Sequence, residues 1–247
     1  MATNIKGTRI GSNMISSINY LIVMTTKIFA AGLLLFLGLT SCNQASNKQQ
    51  SMKTKAALLV NKEAFTLYKK TDSVIYVARA LAVTNDTFDL HLYHINISKP
   101  ENAQQLFASV QRLTKQEIDK KKAELETSYT WAPFKNEEIL FVQIQPSGFK
   151  DEMQLLDKRQ EVEDRLGEAL ENNKLGNWAA GDLGPGGANM LFTVTNVDKS
   201  LQMVMSVLQE NDLEKNVLIG RRVSLDKADW FYEVIYPANY SGHFNTM

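Results

Sequence analysis

Five glycines and one proline stand between residues 176 and 187, in the segment GNWAAGDLGPGGANMLF. Such density invites comparison with loops that cradle phosphate. A P-loop places a lysine and then a hydroxyl residue directly after its last glycine, and a dinucleotide fingerprint opens a helix behind a strand. Here Gly181, Gly184, Gly186 and Gly187 lead into the apolar run NMLFTVT, and no lysine lies between Lys174 and Lys199. No helix N-terminus would face the loop. The glycines therefore predict a wide hairpin connection with φ > 0 positions, its turn fixed by Pro185. Asp182, the one carboxylate inside that hairpin, could hold a cation or act as a general base. In a glycine-rich turn an aspartate more commonly satisfies local backbone donors.

Other residues could act on a ligand. Arg221 and Arg222 are adjacent in a strand pattern, so they point to opposite faces and only one can reach a given surface. Trp178, Trp230, Phe231 and Tyr232 could line a pocket, although strand aromatics usually belong to a core. The histidines are His91, His94 and His243. His91 and His94, three apart on a strand, lie on opposite faces, and no cysteine or fixed carboxylate stands near them, so no metal site and no cofactor is expected. No nucleophile elbow, HExxH run or triad spacing is present. A triad assembled from distant residues stays open, because triads are defined by geometry.

The elements that must position these residues are clearest after residue 136. Residues 138–146 (EILFVQIQP) alternate as a strand, with Leu140, Val142 and Ile144 on one face. Residues 153–173 carry a helical stripe of Leu155, Val162, Leu166, Ala169 and Leu170. The glycine hairpin follows, with residues 177–183 and 189–195 as strands. A helix capped by Asn196 or Asp198 repeats Leu201, Val204, Met205 and Leu208. Strands over 216–225 and 230–237 complete a β-α-β-β-α-β order plus one strand. The fold class is α+β, with a ferredoxin-like domain over residues 136–247. Both helices would cover one sheet face and leave the other free.

Residues 54–135 form an N-terminal α+β region. Residues 73–83 and 87–97 read as a hairpin around Asn85-Asp86, and 100–127 as a long charged helix. A competing reading folds 56–113 into helical hairpins, since NKEAFTLYKK, ARALAVTND and FDLHLYHIN resemble tetratricopeptide repeats. Residues 131–136 are the best candidate boundary. The segment around GDLGPGGANMLF and LIGRR also resembles small bacterial domains of unassigned activity, over residues 160–237. That resemblance implies a ferredoxin-like fold and no reaction.

The N-terminus carries an address. Residues 24–27 (MTTK) form a short basic n-region, and residues 28–39 (IFAAGLLLFLGL) form an apolar run too short to span a bilayer. The run ends in Leu39-Thr40-Ser41-Cys42, which resembles the lipobox of bacterial lipoprotein signal peptides. The resemblance implies that residues 1–41 are leader and signal peptide, with Met24 the true start. It further implies that Cys42 is lipidated and that the polar residues 43–53 are a flexible tether. Stable anchoring then comes from two or more acyl chains. An uncleaved span would bury Lys27 at a cost of a few kcal/mol. Asn43 is not the aspartate that retains some lipoproteins at the inner membrane, so the resemblance favours the periplasmic side of the outer membrane.

The whole chain is neutral, with 27 basic and 27 acidic residues. Residues 1–41 contain Lys6, Arg9, Lys27 and no acid, which leaves 24 basic against 27 acidic residues after cleavage. A mildly acidic chain without a basic block is not a nucleic-acid binder. The expectation is an envelope binding module, of inhibitor or immunity type, that contacts a protein partner through the free face or the edge of its C-terminal sheet, with Asp182, Trp178 and Arg221 as candidate contacts. Enzymatic activity is left open, with the balance against it. The alternatives are an envelope hydrolase using Asp182 or a histidine as base, with Asp182, His91 and Arg221 gathered in one pocket, and a helical-repeat scaffold.

Overall fold

Alternating apolar and polar residues build four consecutive strands at the start of the described chain. The computed structural model describes residues 61–184 and 186–244. Strands β1 (Lys62–Lys70), β2 (Val74–Ala82), β3 (Thr87–Asn96) and β4 (Gln104–Thr114) pair antiparallel in that order. The short β10 (Gly242–His243) returns to pair with β4. The β2–β3 hairpin forms where the alternation places it, with Val83 N–H donating to the Thr87 carbonyl at 2.8 Å. The helical-hairpin reading is overturned here. Ala78 and Ala80, which suggested helix packing, instead sit on the sheet face against Ile118 of α1 (Lys115–Glu126).

The long charged helix expected over 100–127 is also corrected. Residues Pro100–Asn102 make a 3-10 turn, residues 104–114 are β4, and the helix begins only at Lys115. Glutamines made residues 104–111 look helical, but pairing with β3 overrides that weak preference. A capping box sets the start: the Thr114 hydroxyl accepts from Glu117 N–H, and the Glu117 carboxylate accepts from Thr114 N–H.

The second sheet comes from β5 (Glu138–Ile144), β6 (Gly176–Gly184), β7 (Gly187–Val194), β8 (Val217–Ser224) and β9 (Trp230–Tyr236). Its order is β6-β7-β5-β8-β9, with every neighbour antiparallel. Between these strands run α2 (Glu152–Asn172) and α3 (Val197–Glu210), capped by Asp151 and Asn196 respectively. Leu140, Val142 and Ile144 meet Val162 and Leu166 of α2 and Val204 and Leu208 of α3 in one core. Burying each such side chain contributes about 1.5–3 kcal/mol.

Two expectations fail on this sheet. The face away from the helices is covered at β5 and β9: Phe141, Tyr232 and Val234 are buried beneath Phe244 and Tyr240 of the C-terminal segment. Phe141 meets the Tyr232 and Phe244 rings edge-on, each at 4.9 Å between centroids. The hairpin is also narrow. Gly184 pairs with Gly187, so both strands run up to these two residues, and Gly176 and Gly181 lie within β6.

The outer edge of β9 meets the first sheet. The Gln105 side chain reads that edge as a strand would: its amide donates to the Val234 carbonyl at 3.2 Å and its oxygen accepts from Val234 N–H at 3.0 Å. Arg79 donates to the Ile235 carbonyl at 2.9 Å. Phe231 and Val223 of the second sheet pack with Tyr68, Val77 and Tyr93 of the first.

Candidate functional site

Between the two sheets lie four charged side chains that an apolar layer would ordinarily exclude. A bulge between Glu63 and Phe65 of β1 shifts the register against β2 and turns Glu63 toward this layer. Arg79 comes from the middle of β2, Arg221 from β8 and Glu233 from β9. Arg221 Nε donates to Glu233 at 2.9 Å, and its Nη1 meets Glu63 at 3.2 Å. Arg79 Nε donates to Glu63 at 2.8 Å. Tyr68 OH donates to Glu233 at 2.8 Å, Tyr93 OH donates to the other oxygen, and Arg221 Nη2 donates to Tyr68 OH at 2.9 Å.

Glu233 is fully buried and receives donors at both oxygens, from two tyrosines and a guanidinium. The cluster holds two anions and two cations, so it is neutral. Burial pushes the Tyr68 and Tyr93 hydroxyls well above their usual range, and neighbouring Glu233 adds to the rise, so both stay donors. Burial works against the charge on Arg221, yet Glu233, Tyr68 and Glu63 raise its pKa well above the ordinary value. With its lone pairs occupied, Glu233 has no capacity left for proton transfer to a substrate. The cluster is a clasp between the sheets.

Glu63 gives the clasp a pH dependence. Burial alone would raise its pKa, but Arg221 and Arg79 overcome that and hold it at about 2, against 4.5 for a free glutamate. A carboxyl depressed by folding contributes stability above its unfolded pKa and loses it as the proton returns. Stability is therefore expected to fall by about 3 kcal/mol as pH drops from about 4.5 to about 2. Urea midpoints measured across that window check this, and Glu63→Gln should flatten the decline. His91 acts in a different window. Burial and then Arg79 lower its pKa below 6.5, so its contribution is lost as pH falls below that value.

Beside the clasp opens a cleft of about 410 Å³. Glu63, Tyr68 and Arg221 form its floor, residues 133–138 one wall, and residues 195–198 at the start of α3 the other. The walls are tied down: Phe134 N–H donates to the Ser224 carbonyl at 2.9 Å, Trp131 bridges to Tyr68, and Arg222 Nη2 donates to the Glu137 carbonyl at 2.7 Å. Asn196 accepts from Lys199 N–H through its side chain and from Ser200 N–H through its carbonyl. Asp198, on the first turn of α3, has no hydrogen bond or ion pair among the described residues. Burial and then neighbouring Glu63 raise its pKa above the usual aspartate value.

The residues singled out from the sequence lie apart. Arg221 is in the clasp. Asp182 lies in β6 and accepts from the Asn189 side chain at 2.7 Å, so a side chain rather than local backbone donors satisfies it. Trp178 is 53% exposed on β6, and its indole N–H donates to Glu163 of α2. His91 is buried on β3 against Phe107, while His94 meets Tyr76 on the opposite face. His243 lies on β10 beside Asn102. Asp182, His91 and Arg221 therefore form no common pocket among the described residues. Cys42 lies outside the described residues.

No family model, curated protein or solved structure matches the chain. The site is thus read from its own geometry. Among the described residues no group of three or more His, Cys, Asp or Glu side chains is placed to hold a metal ion. Glu63, Arg79 and Glu233 were absent from the sequence candidates. The signal for two of them is a lone charge inside an apolar strand run, Arg79 in VIYVARALA and Glu233 in WFYEVIY.

Proposed function

We propose that the chain is a lipid-anchored protein of the bacterial cell envelope whose body is a binding module, and that the cleft between its two sheets is the contact site. The order Leu39-Thr40-Ser41-Cys42 behind a short apolar run supports the anchor. The observation that carries the binding reading is the contrast within the cleft. Its floor is a neutral clasp tied to both sheets, while its lining carries groups with no hydrogen bond or ion pair among the described residues: the side chains of Lys135, Glu138 and Asp198 and the buried Nε of Arg222. Such a recess offers a fixed shape and polar groups that no internal partner occupies, which is what recognition requires.

The second sheet supports a ferredoxin-like assignment within this proposal. The order β6-β7-β5-β8 with α2 and α3 on one face is the split β-α-β arrangement, and β9 is the added edge strand. In this reading α3 and β8, elements of that unit, deliver Asp198 and Arg221 to the cleft.

A photo-crosslinking residue placed at Lys135, on the cleft wall, tests the binding reading in native membranes. The expected result is a discrete adduct that is absent when the crosslinker sits at exposed Lys150, which follows the Ile144 end of β5 while the cleft lies at its Glu138 end. Equal labelling from both positions overturns it. Mass spectrometry of the same preparation should find Cys42 diacylated and at the N-terminus; an intact leader would remove the envelope address.

A further inference from the structure

We propose that the free edge of β6 and the outer flank of α2 form a docking groove for an extended, lysine- or arginine-bearing segment of a partner protein. This surface shares no lining residue with the cleft between the sheets, so it stands apart from the reading above. Four local costs meet there. The first is the edge itself: β6 is the last strand of its sheet and pairs only with β7. Exposed edges are ordinarily blunted with lysine or covered. The β1 edge carries Lys62, Lys69 and Lys70 and is bridged by Trp131, and the side chains of Gln105 and Arg79 bond the β9 edge. β6 has neither device. It contains no lysine or arginine, and Asn177, Trp178 and Ala179 are exposed. Its one irregularity is a bulge at Ala179, beside Trp178, and bulges re-aim a neighbouring side chain.

Trp178 is the second cost. Its ring is more than half exposed, yet it is held in place, because the indole N–H donates to Glu163, itself paired with Arg159 at 2.6 Å. The third is charge. Asp164, Glu168 and Glu171 line the same groove, of about 510 Å³, and their carboxylates have no hydrogen-bond or ion-pair partner among the described residues. The three cations of α2 are spent elsewhere, Lys158 and Arg165 on Glu161 and Arg159 on Glu163. The carboxylates stand three and four residues apart, so like charges face one another, and Glu171 lies at the negative end of the helix dipole. Gly167, in the helix between them, is the fourth. A Cβ there would meet nothing within 4 Å, so no packing inside the protein demands glycine, and bare backbone opens onto the groove. Each feature alone weakens a local element; together they describe one occupant. An open edge accepts an extended strand, a solvent-facing indole takes a cation on its face, and three unpaired carboxylates supply the opposite charge. Gly167 leaves room for the arriving chain. A second copy of this chain does not fit, because its β6 carries no basic residue and edge-to-edge pairing would set two acidic α2 flanks side by side.

Full-length protein in nanodiscs, labelled with 5-fluorotryptophan and with its Trp178 signal assigned through Trp178→Phe, would be titrated with four probes. These are the capped peptide acetyl-Val-Lys-Val-Arg-Val-Lys-amide, the same peptide methylated on its internal amide nitrogens, acetyl-Val-Glu-Val-Glu-Val-Glu-amide, and lysinamide. Saturable shifts with the first peptide, and none with the acidic one, support the proposal. Methylation should weaken binding about tenfold or more, the scale of two lost backbone hydrogen bonds. The triple change Asp164→Asn, Glu168→Gln and Glu171→Gln should weaken it about tenfold, the scale of three exposed ion pairs together, without lowering the melting temperature. Gly167→Ala should raise the melting temperature through helix propensity yet weaken the peptide about fivefold, the scale of one lost contact. A purely structural glycine would not move the two in opposite directions. No saturable shift with the basic peptide, equal binding of the acidic peptide or of lysinamide, or unchanged affinity in either variant overturns the proposal. Self-association that Ala179→Lys abolishes would put a second copy on the edge and overturn it as well. Crosslinking from Lys135 reports on the cleft alone, so the two readings fail separately.

Discussion

Replacing Arg221 with methionine is expected to destabilise the protein by about 3–5 kcal/mol, read as a drop in the urea midpoint. The volume is nearly conserved, so the loss reports charge rather than packing. Without the guanidinium, Glu233 keeps two tyrosine donors but stays fully buried with no cation beside it. Of its two cations Glu63 keeps only Arg79. An unpaired carboxylate at that depth is costly, and a domain of this kind has about 5–15 kcal/mol of stability in total. Arg221→Lys should not restore the loss, because one ammonium cannot span Glu63, Glu233 and Tyr68 with its three donors. A change below about 1 kcal/mol would mean that water already bridges the clasp.

The same physics predicts strong non-additivity. Removing Arg221 and Glu233 together, as Arg221→Met with Glu233→Leu, should cost less than the two single changes summed, because no orphan charge remains between that pair. The clasp then has a clear role. It need not be the most stable filling for the space, but it fixes how β8 and β9 meet β1 and β2, and so fixes the cleft walls. A double variant that folds yet loses discrimination in ligand binding would display that role directly.

Much of this architecture is legible in the sequence, and the failures have physical causes. The α2 and α3 stripes follow from periodicity, because one face of each helix is buried in a single core, whereas the β2–β3 hairpin, buried on both faces, follows from its β-branched and aromatic content and its turn. β4 is misread because Gln104, Gln105 and Gln111 favour helix locally, whereas pairing with β3 decides the outcome. The covering of β9 by Phe244 and Tyr240 depends on a chain return that no local pattern encodes. Arg221 is visible as a strand residue facing one side, but its partners are not: Glu63 is 158 residues away and reaches it only through a bulge. Asp198 passes as an ordinary first-turn helix residue. In the structure Asn196 caps α3, and Asp198 lies in the lining of the cleft with residues 133–138.

The glycine hairpin shows the same division and yields the other large effect. Of its described glycines, Gly187 has φ +130°, a conformation that strains any residue with a Cβ. A Cβ there would also come within 2.1 Å of the Ile144 carbonyl oxygen on neighbouring β5, a backbone atom held in the sheet. Both penalties act together, so Gly187→Ala should cost about 3–5 kcal/mol, the sum of backbone strain and overpacking. Gly167, inside α2, provides the control. A Cβ added there meets nothing within 4 Å, so Gly167→Ala should gain about 0.5–1 kcal/mol through helix propensity. Paired thermal melts separate the two, because the substitution is identical and only its surroundings differ. Equal and small effects would mean that β5 and β7 are not held in register at Ile144. In that case the glycine would belong to a wide hairpin connection, as the sequence predicts, instead of a point where two backbones nearly touch.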